Sequence, residues 1–304
     1  MIATPSIEQV IAAIPAWAGR VVTAERIQAG LTNSNWRLMV DGTPFFVRIP
    51  GADTDLLAVD RGNEIFNTGA AARAGVAPRV VQTVPEWDVF ALEWLDARTM
   101  SNETLRAAGM PTRIAAALRQ LHAGPRFRDD FDMFRVAERY LTLVDERGIP
   151  IPAGYREHLV QIPRIEAALA VQPPATVPCH NDLLAENYLE DGARLWLVDW
   201  EYSGNNDPAF ELGNTAQELG YDDAQVEELC TAYFGDVTAS RLARMRLQMI
   251  MSDVGWTLWA AIQARISTID YDFTGWAEER WGRAQTALDG PDFEPWLEAV
   301  QMTR

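Results

Sequence analysis

The feature that most constrains this chain is a change in the period of its apolar residues near residue 97. Before that point they come in short β-branched and aromatic runs; after it they recur at helical spacing. Asn35–Val40 and Phe45–Ile49 are strand-like and joined by Asp41-Gly42, a two-residue hairpin signal. Val80–Val84 and Val89–Trp94 read as a second strand pair. Ser6 with Gln9 forms a capping box opening a helix over Ile7–Ile14, and Asp60–Arg73 reads as a helix ended by Gly75. Past Arg98, the segments Asn102–His122, Met133–Glu146 and Arg156–Val171 are amphipathic helices by spacing. Pro178–Asp199 returns to loop and hairpin, with Tyr188–Glu190 and Leu195–Val198 flanking Asp191-Gly192. Helices resume at Pro208 and include a long one over Thr238–Ile266. The expectation is an α+β chain of two lobes. Residues 1–97 form a small antiparallel-sheet lobe, residues 98–304 a large, mainly helical one, with a ligand cleft between them.

Charge narrows the chemistry. The 304 residues hold 43 Asp+Glu against 26 cations, a formal net charge of −17, and every one of those cations is arginine. With no lysine there is no Schiff-base amine and no Walker-A loop. The acidic balance speaks against nucleic acid and suits a small cationic partner. Two cysteines, an amino terminus without a basic start, and no apolar run of spanning length point to a cytoplasmic protein not inserted in a membrane.

One segment carries the chemistry: His180-Asn-Asp182-Leu-Leu-Ala-Glu-Asn187, followed by Leu197-Val-Asp199-Trp-Glu201. Phosphoryl transfer asks a protein for one carboxylate at the attacking hydroxyl and for oxygen ligands that hold Mg²⁺ on the phosphates. Asp182, in a loop, is the candidate catalytic carboxylate. Asn187, five residues on, and Asp199, at the carboxyl end of an apolar strand, are hard oxygen donors suited to Mg²⁺. His180 is read as a structural ring within the loop, and His122, closing a helix, as structural too.

This segment resembles the catalytic segment of the choline/ethanolamine kinase family, a branch of the aminoglycoside-phosphotransferase group with a protein-kinase-like fold. The likeness continues through Asn205-Asn206, Phe210–Asn214, Trp256–Ile269, Gly30–Asn35 and Val47–Gly51, and is weakest over residues 125 to 175. It implies an ATP-dependent kinase whose acceptor is choline. Ethanolamine, another amino alcohol or an aminoglycoside stands as the alternative acceptor, and a catalytically inactive ligand-binding protein as the alternative of another class. A monomer or homodimer is expected.

For ATP, the strand cation available is Arg48, and the resemblance implies that arginine is accepted there; a guanidinium binds phosphate through a planar fork of donors. Glu64, on the following helix, is its expected partner. Asn33 and Ser34, in the small polar run between two strands, can present backbone N–H groups to phosphates. Glu93 and Leu95 fall where the resemblance places an adenine-binding hinge. On the acceptor side, five of eleven tryptophans lie in the last fifty residues. Spacing alone favours core packing for Trp256 and Trp259, which share a helix face. The resemblance instead implies an aromatic enclosure for an ammonium group, with Trp256, Trp259, Tyr271 and Trp276 as members and Tyr221 as a further candidate. Glu211 and Glu218 follow the metal-binding loop on a helix, where both can add negative potential near the ammonium group.

Overall fold

The computed structural model describes residues 4–27, 33–51 and 57–302. The small lobe is a five-stranded antiparallel sheet of β1 (Val22–Ile27), β2 (Ser34–Val40), β3 (Thr43–Ile49), β4 (Val80–Val84) and β5 (Val89–Glu93), in the order β1-β2-β3-β5-β4. The β2–β3 register pairs Val40 with Thr43, so Asp41 and Gly42 alone make the turn. Both have positive φ, 48° and 84°, as the mirror-image turn that matches strand twist requires. Leu38, Val40, Val47, Ile49, Val89 and Ala91 form the lobe's core with Ile7 and Val10 of α1 (Ile7–Ala13) and with Ile14, which caps that helix. The Ser6–Gln9 capping box is formed in both directions. Helix α2 (Arg61–Ala74) is capped by Asp60 and closed by Gly75 at φ 80°.

In the large lobe α3 (Asn102–Leu105) and α4 (Met110–His122) replace the single helix expected over Asn102–His122. Gly109, left-handed at φ 80°, breaks the helix, and Pro111 in the first turn of α4 restarts it. Helix α5 (Met133–Arg147) ends at Gly148. The helix expected over Arg156–Val171 begins as a 3₁₀ turn at Glu157–Gln161 and becomes α6 (Ile162–Ala170). Two small sheets follow. In one, β6 (Arg98–Thr99) pairs with the expected hairpin of β8 (Tyr188–Glu190) and β9 (Leu195–Leu197). In the other, β7 (Val177–Cys179) pairs with β10 (Gly204–Asn206), strands too short to show a period in sequence. Then come α7 (Pro208–Leu219), α8 (Asp223–Phe234), α9 (Ala239–Ile266), α10 (Phe273–Asp289) and α11 (Phe293–Ala299).

Helix α9, 28 residues long, is buried on every face from Leu247 to Gln263, because α5, α7, α10 and α11 all pack on it. It has a one-residue clearance against α7. A Cβ on Gly213 would sit 3.0 Å from both the Met245 carbonyl oxygen and the Met249 nitrogen. No described helix is long and apolar enough to cross a membrane. Since backbone cannot yield as a side chain does, Gly213→Ala is expected to destabilise the chain by about 1–3 kcal/mol. A urea titration should show a lower midpoint at unchanged slope.

Candidate active site

The hairpin β8–β9 and the pair β7–β10 bring the two halves of the motif together. Asn181 adopts φ 70°, a conformation asparagine tolerates, and its side chain ties the loop down. Its Nδ2 donates to the Tyr202 carbonyl at 3.0 Å, and its Oδ1 accepts from Asn206 at 2.9 Å. The Asn181 N–H donates to Glu211 Oε2 at 3.2 Å. His180 is buried, its Nε2 2.8 Å from the Val198 carbonyl and its ring against Trp200. That contact joins the loop to the strand that delivers Asp199. Asn187 closes a 3₁₀ turn and donates to the Asp182 carbonyl at 2.8 Å, which leaves its amide oxygen free toward the cleft. Asp199 holds φ 72°, a strained conformation for a residue with a Cβ. Among the described residues no hydrogen bond or ion pair reaches the Asp182 carboxylate. Burial, with the charges of Glu218 and Asp199, pushes its pKa well above the ordinary range.

A buried charge network faces Asp199. Arg48 Nη1 contacts Glu64 Oε1 at 2.8 Å and Asp199 Oδ1 at 2.5 Å, while its Nε donates to Asn35. Glu64 is thus the partner of Arg48 that sequence anticipated. Arg61 is a second cation that it did not: Nη1 lies 2.7 Å from both Glu64 Oε2 and Glu201 Oε2, and Nη2 donates to Asn33 at 2.9 Å. Asn33 in turn donates to Glu201 at 3.0 Å. Burial works against charge on Arg48, Arg61, Asp199 and Glu201. For Arg48 the carboxylates of Asp199, Glu64 and Glu201 outweigh it, and the guanidinium is held more firmly protonated than usual. Burial also tends to raise Asp199, yet Arg48 overrides it and keeps Asp199 below the ordinary carboxylate value. Glu201 is pushed up to about 7 by burial and by Asp199. The only trace of Arg61 in sequence is its spacing of three from Glu64 at the start of a helix.

Between the lobes lies a cavity of about 330 Å³. Ile27, Phe46, Phe90 and Leu92 form an apolar wall fit for a flat ring, Glu93–Leu95 edge it, and Arg48, Asn187 and Asp199 line its polar end. The Glu93 side chain turns outward to Arg79 at 2.8 Å, so what Glu93 offers the cavity is backbone. Ser34 is half-buried on β2, opposite Ile49, and does not line the cavity. Gly30, Leu31 and Thr32 lie outside the described residues. The Asn187 amide oxygen and the Asp199 carboxylate, 28% exposed, are hard oxygen donors at the polar end, a set that fits Mg²⁺.

The aromatic residues form a second cluster. Tyr202 packs against Trp256 at 4.9 Å between ring centres and accepts from Trp259 Nε1 at 2.7 Å. Trp259 meets Trp276 at 5.4 Å, and Trp276 meets the half-exposed Tyr271 at 5.9 Å. Asn181 and Tyr202 connect this cluster to the loop of Asp182. Trp256 Nε1 is buried without a hydrogen-bond partner among the described residues. Tyr221 is elsewhere: it packs in the α4–α7–α8 core and donates to the Leu105 carbonyl. Glu218 already has a cation, Arg280, at 2.6 Å. That guanidinium is buried, stands 4.4 Å over the Trp276 ring, and also approaches Asp253, which Arg283 holds at 2.7 Å. Tyr202 and Arg280 were not singled out from sequence, although Arg280 lies four residues beyond Trp276 on one helix face.

Comparison with known proteins fits this geometry. Residues 23–248 match the phosphotransferase enzyme family, APH. A choline/ethanolamine kinase family protein from Mesorhizobium loti is 36% identical, with a TM-score of 0.84 over 97% of this chain and 99% of that one. Protein LicA of Haemophilus influenzae is 28% identical over 77% of this chain and 71% of its own length. Ethanolamine kinase 1 of Mus musculus is 28% identical over 88% of this chain and 85% of its own. The fold is kinase-like, and the chain is a phosphotransferase that acts on an alcohol group. The chain belongs to the phosphotransferase enzyme family and, within it, to the choline/ethanolamine kinase family.

Removing Arg61 would leave Glu64 and Glu201 buried with too little positive charge. Arg61→Met is therefore expected to cost about 3–5 kcal/mol, against under about 1 kcal/mol for Arg135→Met in an exposed ion-pair cluster. Thermal unfolding of the two variants side by side checks this.

Proposed function

We propose that this protein transfers the γ-phosphate of ATP to the hydroxyl of choline. The observation that carries the reading is the convergence of Arg48, Asn187 and Asp199 on one end of a ring-sized cavity, with the Asp182 carboxylate, which has no partner among the described residues, in the loop that leads to Asn187. In this reading adenine lies against Ile27, Phe46 and Phe90, and the backbone of Glu93–Leu95 reads its edge. The phosphates lie toward Arg48, which Glu64 holds in place. Asn187 and Asp199 would hold Mg²⁺, which when bound neutralises charge on the transferring phosphoryl group. Asp182 orients the acceptor hydroxyl and receives its proton. A raised pKa makes that carboxylate a stronger base without changing its position.

The acceptor assignment rests on the aromatic cluster beside that loop. Rings of Tyr202, Trp256 and Trp259 would supply π faces to a quaternary ammonium, each contact worth roughly 0.5–2 kcal/mol when desolvated, while Trp276 packs on Trp259 and carries the Arg280 guanidinium over its own ring. A trimethylammonium group asks for faces and no hydrogen-bond acceptors. A primary ammonium needs acceptors, and here Glu218 and Asp253 are engaged by Arg280 and Arg283. Ethanolamine is the second reading, favoured by the relatives of that name. A cation bound near Asp182 also favours its ionised form, so substrate and catalytic carboxylate support each other.

Two measurements test this. ADP release against choline, ethanolamine, other amino alcohols and aminoglycosides should give choline the highest kcat/KM; preference for ethanolamine would reverse the assignment, and no turnover with any acceptor would remove the kinase reading. Asp182→Asn should fold as the parent does and lose about 10²- to 10⁴-fold in kcat. Because the base acts when ionised, kcat in the parent should rise with pH through the Asp182 value, and that acid limb should vanish in the variant.

A further inference from the structure

Behind the catalytic loop, away from the cavity, His122, Cys179 and Glu211 bring an imidazole nitrogen, a thiol and a carboxylate oxygen within 4.8 Å of one another. They come from the last residue of α4, the end of β7 and the first turn of α7. Cys179 Sγ lies 3.7 Å from His122 Nε2, and the other ring nitrogen lies 2.6 Å from the Tyr233 hydroxyl. Cys179 and Glu211 are fully buried, while the His122 ring is the member that reaches the surface, at 8% exposure. Glu211 Oε2 accepts from Asn181, but Oε1 is buried with no hydrogen-bond partner among the described residues. A buried oxygen without a partner is destabilising and has a lone pair available to an occupant.

We propose that His122, Cys179 and Glu211 bind a soft divalent cation, Zn²⁺ being the type, which braces the catalytic loop from behind. One nitrogen, one sulfur and one carboxylate oxygen form a mixed donor set that zinc accepts and that hard, oxygen-seeking ions such as Mg²⁺ do not. Charge supports it as well: a thiolate, a carboxylate and a neutral imidazole cancel a double positive charge, so the bound site is neutral inside an apolar wall. The Tyr233 hydroxyl accepting from the Nδ1–H would leave the Nε2 lone pair facing the ion, the outer-shell arrangement common around metal-bound histidine. In the ion-free chain burial keeps the trio uncharged. His122 is driven down to about 3, Cys179 well up, and Glu211 up to about 7. Binding therefore breaks the Cys179 S–H bond and, at pH below about 7, the Glu211 O–H bond. Two protons leave to solvent as metal–sulfur and metal–oxygen bonds form. No electron is transferred. The mechanical consequence follows from chain order: Cys179 immediately precedes His180, and Glu211 holds the Asn181 N–H, so an ion here stiffens the backbone that presents Asp182.

The test uses the full chain stripped of metal. Co²⁺ titration should show uptake of one equivalent with a thiolate-to-metal charge-transfer absorption, displaced by Zn²⁺. Calorimetry in buffers of different ionisation enthalpy, at a pH of about 6, should report release of about two protons per ion. Cys230→Ser, which alters the other cysteine, should keep the absorption. Cys179→Ser should abolish it, and Glu211→Gln should weaken binding by at least about tenfold, the loss that even an outer-shell partner produces. If Cys179→Ser does not fold, Glu211→Gln and His122→Gln carry the same test. No charge-transfer absorption in the parent, or absorption that survives Cys179→Ser and is lost in Cys230→Ser, overturns the proposal. Because the readout is metal binding, its failure is separate from any failure of the kinase reading.

Discussion

The burial of Arg48 between Glu64 and Asp199 is the interaction on which the site depends. Glu64 belongs to a helix of the small lobe and Asp199 to a strand tip of the large one, so a single guanidinium ties the lobes together where the cavity ends. Arg61 repeats the arrangement one layer away, between Glu64 and Glu201. Buried ion pairs contribute little net stability, since desolvation offsets attraction. What they contribute here is registry: with either cation missing, neighbouring carboxylates would be stranded, so competing lobe orientations are excluded.

The same network sets the electrostatic character of the cleft. Asp182, Asp199, Glu201, Glu218 and Asp253 all converge near it, and the described arginines that answer the last four, buried Arg48, Arg61 and Arg280 and half-buried Arg283, are themselves engaged. Among the described residues no group in contact answers Asp182, and its raised pKa follows from burial and from that excess of negative charge. On the function proposed above, a cleft of this kind would be completed by cations brought from outside, a metal ion at one side and an ammonium group at the other. The net charge of −17 acts in the same direction at long range, by favouring the approach of positively charged ligands.

Legibility in the sequence varied with the range of the interaction. Asp41-Gly42, the Ser6–Gln9 capping box and the breaks at Gly75 and Gly148 are local devices, and each appears where its chemistry places it. The expected single helix over Asn102–His122 failed for a local reason that periodicity hid: Gly109 takes a left-handed conformation although the apolar spacing on both sides continues. Arg61, Arg280 and Tyr202 carry at most a weak sequence signal because the partners that define them, Glu201, Glu218 and Trp259, lie 57 to 140 residues away. Tyr221 shows the converse. It lies near the motif in sequence, but rotation along α7 and past Gly220 turns it toward Leu105 and away from the aromatic cluster.

The amino-acid sequence by itself determined the order of the elements, the composition of the motif, and the absence of lysine that obliges arginine to serve wherever a phosphate-facing cation is needed. Those properties are written in spacing and side-chain chemistry, which need no knowledge of distant partners. Only the tertiary structure decided which charges cancel: that Glu218 meets Arg280, that Asp199 answers Arg48, and that the Asp182 carboxylate has no partner among the described residues. Pairing is a matter of distance and burial, and both arise when remote segments pack against one another.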